Sequence, residues 1–230
     1  MLGLLTAAVA VGSAALWLAG PITAASPYRR ILPQVASDEG FGGTLIVQGP
    51  TPAPAATLLC EQENWPVKKL ADIDAPFVDF VPINTTVAEI GARRRPFADP
   101  PGNLRTDDLE RRTFRITGDL VLTQLKEDGD IHVVIADFAT GQTMITEFID
   151  TRCPGTERSL KKAEMLAARV AVEAACGPVT TSVRLLKGAI TMTGVGFWDL
   201  VHPERGAAPN AVELHPVLSV ESITCAEAER

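Results

Sequence analysis

From Phe114 to Val220 the chain is a run of short alternating segments broken by turn residues and by one helical stretch, and this punctuation restricts the fold more than any other feature. Phe114, Ile116, Leu120 and Leu122 fall on one face of an extended segment, with Arg115, Thr117, Asp119 and Thr123 on the other, the period of a half-buried strand. Glu127 to Asp130 predicts a turn, Asp128-Gly129 being a strong hairpin signal. Ile131 to Ala136 predicts a second strand, Ala139-Thr140-Gly141 a second turn, and Thr143 to Ile149 a third strand. Ser159 to Ala175 predicts a helix with Ser159 as its N-cap, Leu160, Ala163, Leu166, Val170 and Ala174 along its apolar side, and Gly177-Pro178 at its end. Val183 to Trp198 is long for one strand, so Gly188, Gly194 or Gly196 is expected to mark a bulge or bend. Val212 to Val220 closes the series.

These elements predict a mainly β domain over 104–225. Three strands, a helix and two strands (β-β-β-α-β-β) is the order of the OB-fold, a five-stranded, partly open barrel. A generic α+β sheet covered by one helix uses the same elements with a different closure. Residues 26–103 read as a proline-rich N-terminal extension. They hold eleven of the 17 prolines, a density that prevents long elements. Thr44 to Val47 is a candidate strand within it. Thr86 and Glu89 have capping-box spacing and predict a short helix near 87–94, with Arg93 to Arg95 complementing its C-terminal dipole.

Residues 1–25 carry no ionisable side chain and end on Gly20-Pro21 followed by small residues, which predicts a signal peptide and an exported protein, periplasmic or extracellular. An uncleaved membrane anchor is the alternative, and the membrane enters the reading only through this segment. Cys60, Cys153, Cys176 and Cys225 have no zinc-ribbon spacing and read as two disulfides, for which three connectivities exist. Cys60–Cys225 and Cys153–Cys176 are expected. The first ties the extension to the tail; the second requires that Pro154 to Arg158 run back along the helix or that the helix end early.

Lys and Arg total 21 against 28 Asp and Glu, and the basic residues do not segregate, so the net charge of -7 disfavours nucleic acid as a partner. No nucleophile elbow and no phosphate-cradling loop occurs. The candidate site is a rim between the predicted loops 125–130 and 201–211. Asp130, His132, Asp199, His202, Arg205, Asn210, Glu213 and His215 belong to it, Glu213 and His215 lying on the face opposite Val212, Leu214, Pro216, Leu218 and Val220. Two functions fit this rim. The leading one is a non-enzymatic binding module, without cofactor, for a small molecule, glycan or protein. The other is a metal-dependent hydrolase of phosphodiesters, with His132, His202 and His215 on Zn²⁺ or another divalent transition metal and Glu213 as base.

Asp128-Gly-Asp-Ile-His132, Thr143-Met-Ile-Thr-Glu147 and the closing Thr193-Gly-Val-Gly-Phe-Trp-Asp199, Ala208-Pro-Asn210 and Glu213-Leu-His-Pro216 resemble a group of exported bacterial proteins that has no established activity. The resemblance runs from about Trp65 to Val220. It implies export and a barrel with an extension, and no chemistry.

Overall fold

A computed structural model describes residues 60, 65–96, 103–201 and 203–228. All of these lie in one compact unit, Ala53–Arg230. The expected leader or anchor at 1–25 and the strand at 44–47 fall outside the described residues. Within the unit the elements are α1 (Trp65–Lys68), β1 (Asp79–Asn84), α2 (Val87–Gly91), β2 (Arg112–Leu125), β3 (Ile131–Ala136), β4 (Thr143–Phe148), α3 (Lys162–Cys176), β5 (Arg184–Trp198) and β6 (Val212–Glu227). The chain is mainly β. Its single sheet has the order β1-β2-β3-β4-β6-β5, and a further pairing of β2 with β5 makes strands β2 to β6 ring round. The β1–β2 and β4–β6 pairs are parallel; the others are antiparallel.

The inner face of this ring holds the main core. Phe114, Ile116 and Leu120 of β2 meet Ile131, Val133 and Ile135 of β3, Met144 and Phe148 of β4, and Ile190, Met192, Trp198, Val212 and Leu214 from the last two strands. Each of the large side chains buried here stabilises the fold by roughly 1.5–3 kcal/mol through removal of apolar surface from water. Ala168, Val172 and Cys176 of α3 join the same cluster. A capping box starts α2 as expected, Thr86 Oγ1 accepting from Glu89 N and the Glu89 carboxylate accepting from Thr86 N. The helix stops at Gly91, short of the expected 94. Arg93 and Arg95 therefore lie past its end and stack on Phe114 and Trp198.

Alternation alone misassigns three faces. In β2 the register slips between Leu120 and Leu122, so Leu122 turns to the outer face with Val134 and Ile145 while Thr123 is buried inside. Leu122 was expected beside Leu120; one extra residue in the strand reverses every side chain after it. In β6 a slip opposite Gly194–Gly196 likewise sends Val217 into the main core and Leu218 to an outer cluster with Leu70, Val195 and Met165. On α3, Met165, Ala168, Arg169, Val172 and Cys176 are buried, whereas Leu166 and Val170 are 47% and 53% exposed. The helix is rotated from its apparent apolar side because Arg169 is drawn in, donating to Gly129 O at 2.8 Å and Phe148 O at 3.1 Å. Its N-cap position is Lys161, and Ser159, two residues earlier, accepts from Lys161 N.

The disulfides are Cys60–Cys153 and Cys176–Cys225, which corrects both expected pairs. Cys153 precedes α3 by nine residues and is held with its Sγ against Asp128 O at 3.4 Å, whereas Cys176 is the last residue of the helix, so the two do not meet. Cys176 at its C-terminal end instead faces Cys225 on β6, which pairs with Gly188 of β5. Two disulfides fit an oxidising compartment. Among the described residues no helix is long and apolar enough to cross a membrane.

Candidate functional site

The outer face of β3, β4 and β6, opposite the main core, carries His132, Glu147, Glu213 and His215, and all four are buried. Strand pairing brings them together. His132 is the register partner of Glu147 across the β3–β4 hairpin, and the parallel contact Thr146↔Leu214 sets β6 beside β4. The turn before β3 adds Asp130, fixed by Asp130 N donating to Asp128 Oδ1 and by the Arg169 bond to Gly129 O. From α1, Lys68 comes over the Phe197 ring and within 3.9 Å of Asp199. The polar face is thus sealed rather than solvated, a result of the segment before β1 lying against it.

His132 has a carboxylate on each ring nitrogen: Nε2 is 2.7 Å from Glu147 Oε1 and Nδ1 is 3.0 Å from Glu204 Oε1. An imidazole that donates on both sides is an imidazolium. Burial alone would lower its pKa, but Glu147, then Glu204 and Glu213, outweigh that and raise it to about 10. Glu204, bonded to His132 and to Lys126 at 2.5 Å, is lowered to about 2. Burial pushes Glu147 up, yet His132, His215 and Lys68 together hold it well below the usual carboxylate range. Glu213 goes the other way: burial, reinforced by Asp199 and Glu147, lifts it well above that range. Burial also lifts Asp130, to about 6, against the pull of His215. For Lys68, burial lowers the pKa but Glu147, Asp199, Glu213 and Asp128 raise it further. Neighbouring carboxylates held in opposite protonation states are how sites divide acid and base roles.

The expected rim residues separate into three groups. Asp130, His132, Glu213 and His215 gather in the buried cluster, and Asp199 reaches it through Lys68. Arg205 is exposed and lines a cleft with Leu122, Gln124, His132, Val134, Val183 and Glu204. Asn210 is elsewhere: its Nδ2 donates to Ile90 O and Arg93 O and its Oδ1 accepts from Val212 N, so it closes the end of α2. His202 falls outside the described residues. Among those described, the residues whose ligand atoms group for a metal are Asp130, Glu147 and His215, not a set of histidines; His132 has its nitrogens engaged by carboxylates.

Glu147, Glu204 and Lys68 belong to the site without having been singled out. Glu147 had a signal, since pairing Ala136 with Thr143 across the Ala139–Gly141 turn sets 132 opposite 147. Glu204 and Lys68 arrive on a loop and on a four-residue helix, for which no periodicity speaks.

No protein-family model matches this chain, and no curated protein and no solved structure matches it.

Proposed function

We propose that the chain is an exported, OB-fold-like barrel acting as a non-enzymatic binding module, and that its ligand is an uncharged polar molecule of short-glycan chemistry. The ring order β2-β3-β4-β6-β5, with α3 lying between β4 and β5 in the chain, supports the OB-like reading. Such barrels bind ligands on the face of their second and third strands, between the loops joining strands one to two and four to five. In this chain those are β3 and β4, the turn at 126–130, and the loop at 199–211.

One observation carries the reading: a groove runs past the β3 edge of that face, beside the turn at 126–130 and the loop at 199–211, and on over the start of β5. The cleft of Gln124, His132, Glu204 and Arg205 shares Gln124 with a hollow lined by Lys126, Asp128 and Thr181. It shares Val183 and Arg205 with another lined by Arg184, Leu185 and Glu227. Hydrogen-bonding side chains over an apolar floor of Leu122 and Val134 suit hydroxyl-bearing ligands. The net charge of -7 argues against a polyanion. Gly206 lets the loop lie on that floor: it sits at a φ of 91°, and a side chain there would collide with Val134.

The hydrolase reading is less well supported, because His132 is engaged on both ring nitrogens and Glu213 is sealed from solvent. Saturation-transfer NMR against a panel of short neutral glycans tests the proposal. Binding is expected, and Arg205→Ala and Gln124→Ala should each weaken it about tenfold, about the 1.4 kcal/mol of one hydrogen bond. No binding across the panel, or binding indifferent to both substitutions, would sink it.

A further inference from the structure

Two buried carboxylates in the cluster are each held by one oxygen only. Asp130 Oδ1 accepts from Asp150 N at 2.7 Å, while Oδ2 has no hydrogen bond. Glu147 Oε1 is held by His132 Nε2 at 2.7 Å, while Oε2 has none. Both free oxygens face His215, whose two ring nitrogens also lack hydrogen bonds: Nδ1 stands 3.3 Å from Glu147 Oε2 and Nε2 stands 3.6 Å from Asp130 Oδ2. Asp130 and His215 are 0% exposed and Glu147 is 2%. Buried polar atoms nearly always make hydrogen bonds, so two carboxylate oxygens and an imidazole enclosed together without one are a deficit that a cation would fill.

We propose that Asp130, Glu147 and His215 bind one divalent transition-metal cation of the Zn²⁺ type. One imidazole nitrogen and two carboxylate oxygens form a donor set that Zn²⁺ takes at roughly 2.0–2.2 Å. Tetrahedral ligand atoms at that range stand roughly 3.4 Å apart, and one imidazole nitrogen, one Asp130 oxygen and one Glu147 oxygen lie within 4.8 Å of one another. His215 gives the ion one nitrogen, so the carboxylate beside the other nitrogen must swing toward it for the site to close. His132 and the Asp150 N–H orient the two carboxylates from behind, as outer partners of metal ligands do. The ligands come from the turn before β3, from β4 and from β6, and the site is closed to solvent, so the ion is a structural one that ties three elements together. It is independent of what the groove binds. The same geometry without metal would be a His215 imidazolium bridging two carboxylates, and that is the outcome the experiment must separate.

The test uses the full untagged chain, dialysed against a chelator and titrated with Zn²⁺ by calorimetry, with Co²⁺ absorption as a second probe of coordination. One ion per chain at micromolar affinity or tighter is expected, together with a rise in Tm on adding Zn²⁺. Asp130→Asn and Glu147→Gln should each weaken binding by about a hundredfold or more, beyond the loss typical of outer partners. Should these variants fail to fold, ¹⁵N-histidine spectra of the unmodified protein decide: Zn²⁺ must move a ring-nitrogen resonance of His215. Weak or non-stoichiometric Zn²⁺ uptake, an unmoved His215, or unchanged affinity in both variants would overturn the site in favour of the bridging imidazolium or of other ligands.

Discussion

His132 and Glu204 form an ion pair whose pH limits follow from opposite shifts. The His132 pKa is raised from about 6.5 to about 10, so its contribution to stability is complete at low pH and is lost as pH rises through the folded value. The Glu204 pKa is lowered to about 2, so its contribution is complete above its unfolded value of about 4.3 and lost as pH falls through the folded one. Urea unfolding with chelator present, for the native chain and Glu204→Gln, should show the largest stability difference between roughly pH 4.5 and 6.5 and a smaller one on either side. A difference that does not vary with pH would mean that the pair is not ionic. A second buried pair makes a sharper claim on magnitude. Arg105 and Asp72 meet at 2.8 Å with side chains 0% and 1% exposed, and Arg105 also donates to Val67 O and Glu110 O. Asp72→Ala leaves that guanidinium buried without its counter-charge and should cost about 3–5 kcal/mol in urea unfolding. A cost under 1 kcal/mol would show that water replaces the carboxylate.

Among the elements, the slip in β2 sets the test of faces. Leu120 packs in the main core and Leu122 in the outer cluster with Val134 and Ile145, each 3% exposed. Leu120→Ala should cost about 2–5 kcal/mol. Leu122→Ala should cost less, because its cluster is small and lies under a loop that can settle into the space; equal losses would argue against separate clusters. Gly196 gives a stricter case, since a side chain there would come within 2.7 Å of Leu109 O and 2.8 Å of the Phe114 ring. Gly196→Ala should therefore lower Tm by several degrees. Element order and approximate spans were legible in the sequence, because period, caps and turn residues are local: Ile131–Ala136, the capping box at Thr86 and the helix stop at Gly177 all fall where those signals stand. Faces beyond a bulge were not legible. Whether Leu122 points with Leu120 depends on which neighbour each pairs with, and the buried side of α3 was set by a cation, Arg169, that a hydrophobic count assigns to water.

At the scale of the molecule, the site exists only because distant segments close over it. Asp130, His132, Glu213 and His215 were legible as chemically unusual residues; that Lys68 and Glu204 would shut them away was not, since short helices and loops carry no period. Cysteine pairing was equally hidden, being a property of the closed sheet rather than of spacing. Non-reducing peptide mapping should recover Cys60–Cys153 and Cys176–Cys225, and recovery of Cys60–Cys225 would contradict the arrangement described.

The pairing found is the consecutive one, first cysteine to second and third to fourth. A chain that emerges amino-terminus first into an oxidising medium presents Cys60 and Cys153 to each other before Cys176 and Cys225 have appeared. Its earliest available bond is already the native one. Maturation then needs an oxidant but no reshuffling, so an enzyme that only inserts disulfides is enough to finish this protein, and loss of an isomerase should leave its yield unchanged.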